Sequence, residues 1–214
     1  MLDHLLARIK GLPYAGDEHN FTNLDRDCII ISGNQIYEHK TARFVSTTYD
    51  AHRIDKPANP RTHADVIVLS HEENSEGRQP FPYWHARIVR IYHVMIQLKN
   101  EDGLGLTDAR RMDILHVRWF GFDSAEGHSR WHARQLHSVG FLPDTDALGP
   151  AFGFLDPNKV IRMVHLIPDF ASGRTKDLLG GSSMAFQDRH PDGEYKLYYV
   201  AKWVPSILWY NELT

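Results

Sequence analysis

Two runs dominate the distribution of apolar residues along this chain, Tyr83 to Ile91 and Met112 to Phe120. Both are rich in β-branched and aromatic residues, and a polar stretch holding Gly103 and Gly105 separates them, which predicts two half-buried strands joined by a loop. In the second run Leu115, Val117 and Trp119 share one face, while His116, Arg118 and Phe120 share the other. The reading is one layer of a small barrel that displays basic and aromatic side chains.

The rest of the chain is mostly β-prone. Leu2, Leu5, Leu6 and Ile9 recur at helical spacing and predict a short amphipathic helix that stops before Gly11 and Pro13. Residues 14 to 27 read as a polar loop, and Cys28 to Glu38 as a hairpin turning at Gly33-Asn34. Ala42 to Tyr49 is a further strand, and Pro57-Ala58-Asn59-Pro60 marks a loop, because proline excludes helix and central strand. Asp65 to Leu69 predicts a strand covered on both faces, Glu72 to Gln79 an acidic loop, and Tyr83 a strand continuing to about Leu98. Arg130 to His137 reads as a short helix. Asp156-Pro157 supplies a cap and first position for one helical turn, followed by a strand over Ile161 to Ile167 that Pro168 ends. Residues 171 to 193 read as a long loop, Tyr195 to Val204 as a last strand, and Pro205-Ser206 as the start of a helical turn. The expected organisation is an N-terminal helix and loop over 1–27, a single mainly β domain with short helices over 28–205, and a helical turn over 206–214.

Composition narrows the function. A net charge of −3 argues against global attraction to nucleic acid, so any such contact needs a local patch. Between Tyr83 and Arg134 the residues Arg87, Arg90, Lys99, Arg110, Arg111, Arg118, Arg130 and Arg134 slightly outnumber the acids. The single cysteine, Cys28, excludes an internal disulfide and a cysteine-rich zinc site, and Ile29-Ile30-Ile31 beside it predicts a buried thiol. No signal peptide or membrane helix is expected, which points to an intracellular setting that includes the nucleus.

Several motifs carry a resemblance. The turn at Gly33-Asn34 with Ile36-Tyr37, then Tyr83-Trp84-His85-Ala86-Arg87-Ile88, then Val117-Arg118-Trp119-Phe120, is similar to a BAH (bromo-adjacent homology) domain over about residues 28 to 122. A longer series runs from Thr47-Thr48-Tyr49-Asp50 and Asn59-Pro60-Arg61-Thr62-His63-Ala64-Asp65-Val66 through Pro82-Tyr83-Trp84-His85-Ala86-Arg87 and Val117-Arg118-Trp119-Phe120-Gly121. It continues with Arg134-Gln135-Leu136-His137-Ser138-Val139-Gly140-Phe141, Ala151-Phe152-Gly153-Phe154-Leu155-Asp156-Pro157 and Val164-His165-Leu166-Ile167-Pro168. In that order the motifs resemble the C-terminal region of proteins encoded by Plavaka-type elements of the Kyakuja–Dileera–Zisupton transposons of mushroom-forming fungi, over roughly residues 45 to 205. The chain departs from that pattern at Met163 and after Trp203. The resemblance implies a BAH-like or SH3-like, partly open barrel with helical decorations. It carries no catalysis with it, because the family's nuclease chemistry belongs to an upstream domain.

Chemistry-bearing clusters are few. His128 and His132 stand at i and i+4 and could share a metal on a helix, but Gly127 and Ser129 put His128 at the helix start, and no glutamate adjoins it. Tyr83, Trp84, Phe120 and Phe122 could form an aromatic cage for a methylated lysine, or simply be core. Arg130, Arg134 and Trp131 could form a phosphate-binding edge with a stacking ring. The expectation is a non-catalytic interaction module of a transposon-derived protein, without cofactor, that binds chromatin, nucleic acid or a protein partner and no membrane. Its candidate contact residues are Tyr83, Trp84, Arg118, Phe120, Arg130 and Arg134. The alternative is a metal-dependent hydrolase or nuclease using His128 and His132.

Overall fold

The computed structural model describes residues 1–13, 18–47, 53–62, 64–70, 82–99, 105–122, 137–143, 150–179 and 193–201. The chain is mainly β, as expected, with a nine-stranded sheet curled into a half-barrel and short helices beside it. The two dominant apolar runs form its spine. They are β5 (Tyr83–Leu98) and β6 (Arg110–Phe122), antiparallel from His85 opposite Phe120 to Ile96 opposite Arg110.

Each spine strand is long enough to take two partners along its outer edge. β5 pairs with β4 (Asp65–Leu69) over its first residues and with β1 (Ile29–His39) over its last. β6 pairs with β8 (Phe152–Leu155) and, further on, with β7 (Ser138–Phe141). Beyond β4 lies β9 (Val160–Met163), and beyond β7 lie β13 (Tyr198–Val200) and the edge strand β10 (Leu166–Pro168). Two pairs stand outside this sheet. β2 (Ala42–Thr47) and β3 (Arg53–Ala58) form a ribbon, and β11 (Arg174–Thr175) pairs with β12 (Glu194–Tyr195).

Alternation along β6 holds as read, and both of its faces are covered. Leu115, Val117 and Trp119 enter one cluster with Val66, Ala86, Ile88 and Ile91, closed over by Phe44 and Ala58 of the ribbon. On the other face Met112 and Ile114 meet α1 (Leu2–Ile9) through Leu5 and Leu6, and Phe120 enters a third cluster with Val139, Phe141, Leu166 and Tyr198. Ile91 joins the cluster of Ile88, despite odd spacing, because the register shifts between Ile88 and Arg90. Val66, Ile67 and Val68 are all buried, so β4 is covered on both faces as predicted.

Several expectations are corrected. Gly33-Asn34 does not turn a hairpin: both residues have positive φ (64° and 51°), yet Ile29–Ile31 and Ile36–His39 pair with the same strand, β5. The segment is a bulge inside one strand. Part of the polar loop before Cys28 is helical, since α2 (Asn23–Arg26) is closed by a capping box between Thr22 and Asp25. Pro57 sits in β3, where its missing N–H is harmless because β3 has only β2 for a neighbour. The strand expected over Ile161–Ile167 is two strands, β9 and β10, that pair with different neighbours. The strand expected from Tyr195 is likewise broken at Lys196-Leu197, and Tyr195 and Tyr198 pack together instead of alternating. Asp156 caps the turn Pro157–Lys159 as expected, its Oδ1 accepting from the Asn158 N–H at 3.0 Å. Cys28 is exposed, not buried: the strand begins one residue later, and its Sγ lies 3.4 Å from the Leu24 carbonyl. The loop Glu72–Gln79 and the final helical turn lie outside the described residues, as does the helix expected over Arg130 to His137 except for His137, which is not helical.

Candidate functional site

Arg118 and Phe120 are interior, which corrects the expectation of a displayed basic and aromatic face. Arg118 is 1% exposed, and its Nη1 donates to both carboxylate oxygens of Glu194 at 2.7 Å. Its guanidinium carbon lies 3.9 Å from the Phe141 ring centroid. Directly across the sheet, Arg87 forms a bidentate pair with Asp65 (2.6 and 3.0 Å) and faces the rings of Phe141, Tyr198 and Phe120 at 5.0, 5.2 and 5.5 Å. Burial works against the Arg87 charge, but Asp65 together with Tyr198 more than offsets it and raises the guanidinium pKa above its ordinary value. These rings do form an aromatic box, and the cations inside it are the chain's own arginines.

The four residues proposed as a cage do not converge. Trp84 packs edge-on to Trp119 (6.1 Å) on one face of the sheet, whereas Phe120 stacks on Phe141 (4.2 Å) on the other. Phe122 meets His85 edge-on at 5.6 Å, and Tyr83 is half-buried opposite Leu69 at the rim. Arg130, Arg134, Trp131, His128 and His132 lie outside the described residues. The basic stretch read from Tyr83 onward disperses as well: Arg90 pairs with Glu38 and Arg111 with Asp113, in addition to the two buried pairs. Among the described residues no group of three or more His, Cys, Asp or Glu could hold a metal, and no helix is long and apolar enough to cross a membrane.

Exposed positive charge is concentrated instead on the β2–β3 ribbon. Lys40, Arg43, Lys56 and Arg61 are exposed there, and the described stretches 39–47 and 56–62 contain no carboxylate. The signal was present in the sequence, where no acid falls between Glu38 and Asp50. The ribbon bends back over the sheet face that carries Ile91 and Leu115, because Phe44 and Ala58 must bury against them.

That same face bears a stack of rings. Tyr37 lies against His93 with centroids 4.7 Å apart and planes at 9°, and His39 stacks on His93 at 4.8 Å. His39 Nε2 and His93 Nδ1 are 2.6 Å apart, so one ring donates a hydrogen bond to the other. Parity explains the placement. Between Ile31 and Ile36, β1 advances five residues while β5 retreats two, from Ile96 to Val94. The excess is odd, so the alternation inverts at the bulge. Ile29 and Ile31 point toward α1, whereas Tyr37 and His39 pair opposite His93 and Ile91 on the other face.

An open groove of about 500 Å³ runs beside the paired glycines Gly121 and Gly140, with Phe122, Leu142, Pro143 and Leu197 as its apolar lining and Ser172 and Lys196 as its polar one. No protein-family model matches the chain, and searches of curated proteins and of solved structures find no similar protein.

Proposed function

We propose that this chain is a non-catalytic module that docks onto nucleic acid through the β2–β3 ribbon, as part of a transposon-derived protein of the kind its motif order resembles. One observation carries the reading: four exposed cations, Lys40, Arg43, Lys56 and Arg61, stand on and beside a two-stranded ribbon whose described residues include a single acid, Asp55. In a chain of net charge −3 such a concentration is a local exception, and phosphate is the ligand whose affinity it would raise. The carboxylate partners of Arg87 and Arg118 support it indirectly, since Asp65 and Glu194 neutralise those two cations within the fold.

The test is anisotropy titration of labelled DNA and RNA across a salt series. Affinity should fall steeply with salt, and Lys56→Ala with Arg61→Ala should flatten the slope of log K against log salt by about 2 for a duplex, as two phosphate contacts disappear. No binding at low salt would sink the proposal. A second reading, a module for a protein segment such as a histone tail, draws on the groove beside Gly121 and Gly140. It predicts saturable peptide binding that persists at high salt.

A further inference from the structure

We infer that the Tyr37–His93–His39 stack is a platform for an unpaired nucleobase, which makes single-stranded nucleic acid the preferred ligand of the ribbon face. The inference rests on the nucleic-acid reading above and adds to it the form of the strand. Its first support is location. His93 follows Ile91 by two residues on β5, so the stack shares the face on which Phe44 and Ala58 of the ribbon pack, and Lys40 directly follows His39. The ring stack and the ribbon that carries the cations therefore lie over one face of the sheet. Arg111 and Asp113 border the rings on the β6 side, where Asp113 stands opposite His93.

The second support is preorganisation. The three rings are already stacked, the two imidazoles are tied by a hydrogen bond, and the Tyr37 hydroxyl donates to Gln35 Oε1 at 2.7 Å. A base added to such a stack orders no further side chain, so little entropy is lost on binding. Tyr37 nevertheless remains 45% exposed, a large share for an aromatic ring held flat against its neighbour. The third support is selectivity of chemistry. A flexible single strand can lay a base face on the ring while its phosphates follow Lys40, Arg43, Lys56 and Arg61. In a duplex the base faces are occupied by their own stack, so only the phosphate contacts remain.

The experiment compares a labelled single-stranded oligonucleotide with a blunt duplex of the same length, against the full chain and its Tyr37→Ala, Tyr37→Phe and Lys56→Ala/Arg61→Ala variants. Tyr37→Ala should weaken single-strand binding about tenfold, leave its salt slope unchanged, and leave duplex binding unchanged. Tyr37→Phe should bind like the parent. The double cation variant should lower the salt slope for both forms. A Tyr37→Ala effect below twofold, or one equal for single strand and duplex, overturns the platform while the ribbon's phosphate contacts stand. Failure of the parent chain to bind either form at low salt overturns both readings. Thermal melts of each variant separate loss of binding from loss of fold.

Discussion

Arg87 and Arg118 face one another across the sheet spine, a pairing of like charges that is destabilising when left bare. Asp65 and Glu194 neutralise it, and Phe141 takes both guanidinium groups toward its ring. Removing one member of such a pair is costly because it strands the other charge inside. Glu194→Ala should therefore lower unfolding stability by about 3–5 kcal/mol, and Arg118→Met by clearly less, since Glu194 at 14% side-chain exposure can turn toward water. Urea midpoints of the two variants check the order. The alternation that puts Arg118 and Phe120 on one face was legible in the sequence; their burial was not. Arginine is seldom buried unless paired, and the pairing carboxylate lies 76 residues further along the chain.

Among the elements, those fixed by local chemistry could be read directly. The spacing of Leu2, Leu5, Leu6 and Ile9 gives α1, and β-branched density gives β5 and β6. Thr22-Asn23-Leu24-Asp25 also carried a readable capping signal for α2, although four residues are too short for any periodicity to announce. The misreadings share a cause, which is that tertiary pairing decided between two locally acceptable outcomes. Gly33-Asn34 suits a hairpin turn as well as a bulge, and only β5, long enough to pair on both sides of it, selects the bulge. The ion pairs that were spread over a basic-looking stretch, Arg90 with Glu38 and Arg111 with Asp113, likewise depend on strand neighbours. Gly33→Ala should cost about 1–2 kcal/mol, because a Cβ at φ 64° is strained even though it would meet nothing closer than the Gln35 side chain at 3.9 Å. Its check is a paired melt with Asn34→Gly, which relieves the other positive φ and should leave the melting temperature unchanged or raised.

Taken together, the core clusters make stability depend on acidity through two buried histidines, His4 and His85, because desolvation of the imidazole outweighs even Glu18 Oε1, 3.7 Å from His4 Nδ1. Burial, then Arg8 and the terminal amine, lowers the His4 pKa from 6.5 to about 3; burial, then His137, lowers that of His85 to about 4. Both remain neutral in the folded chain, while the unfolded chain protonates them below pH 6.5. The unfolded state thus binds more protons in that interval, so stability is full above pH 6.5 and declines as pH falls toward 4 and 3. Urea midpoints should drop between pH 7 and pH 5, and His4→Phe should shrink that drop. An unchanged drop would mean that His4 is not buried neutral beneath α1. The bulge in β1 has a different kind of consequence, one for the chain's tolerance of length change. An odd excess of residues sends Tyr37 and His39 outward, so gain or loss of two residues there preserves which side chains meet water. Gain or loss of one would carry both rings toward α1 and turn Glu38 outward in their place, so a single codon inserted or deleted could erase the ring surface while every residue that forms it is still encoded.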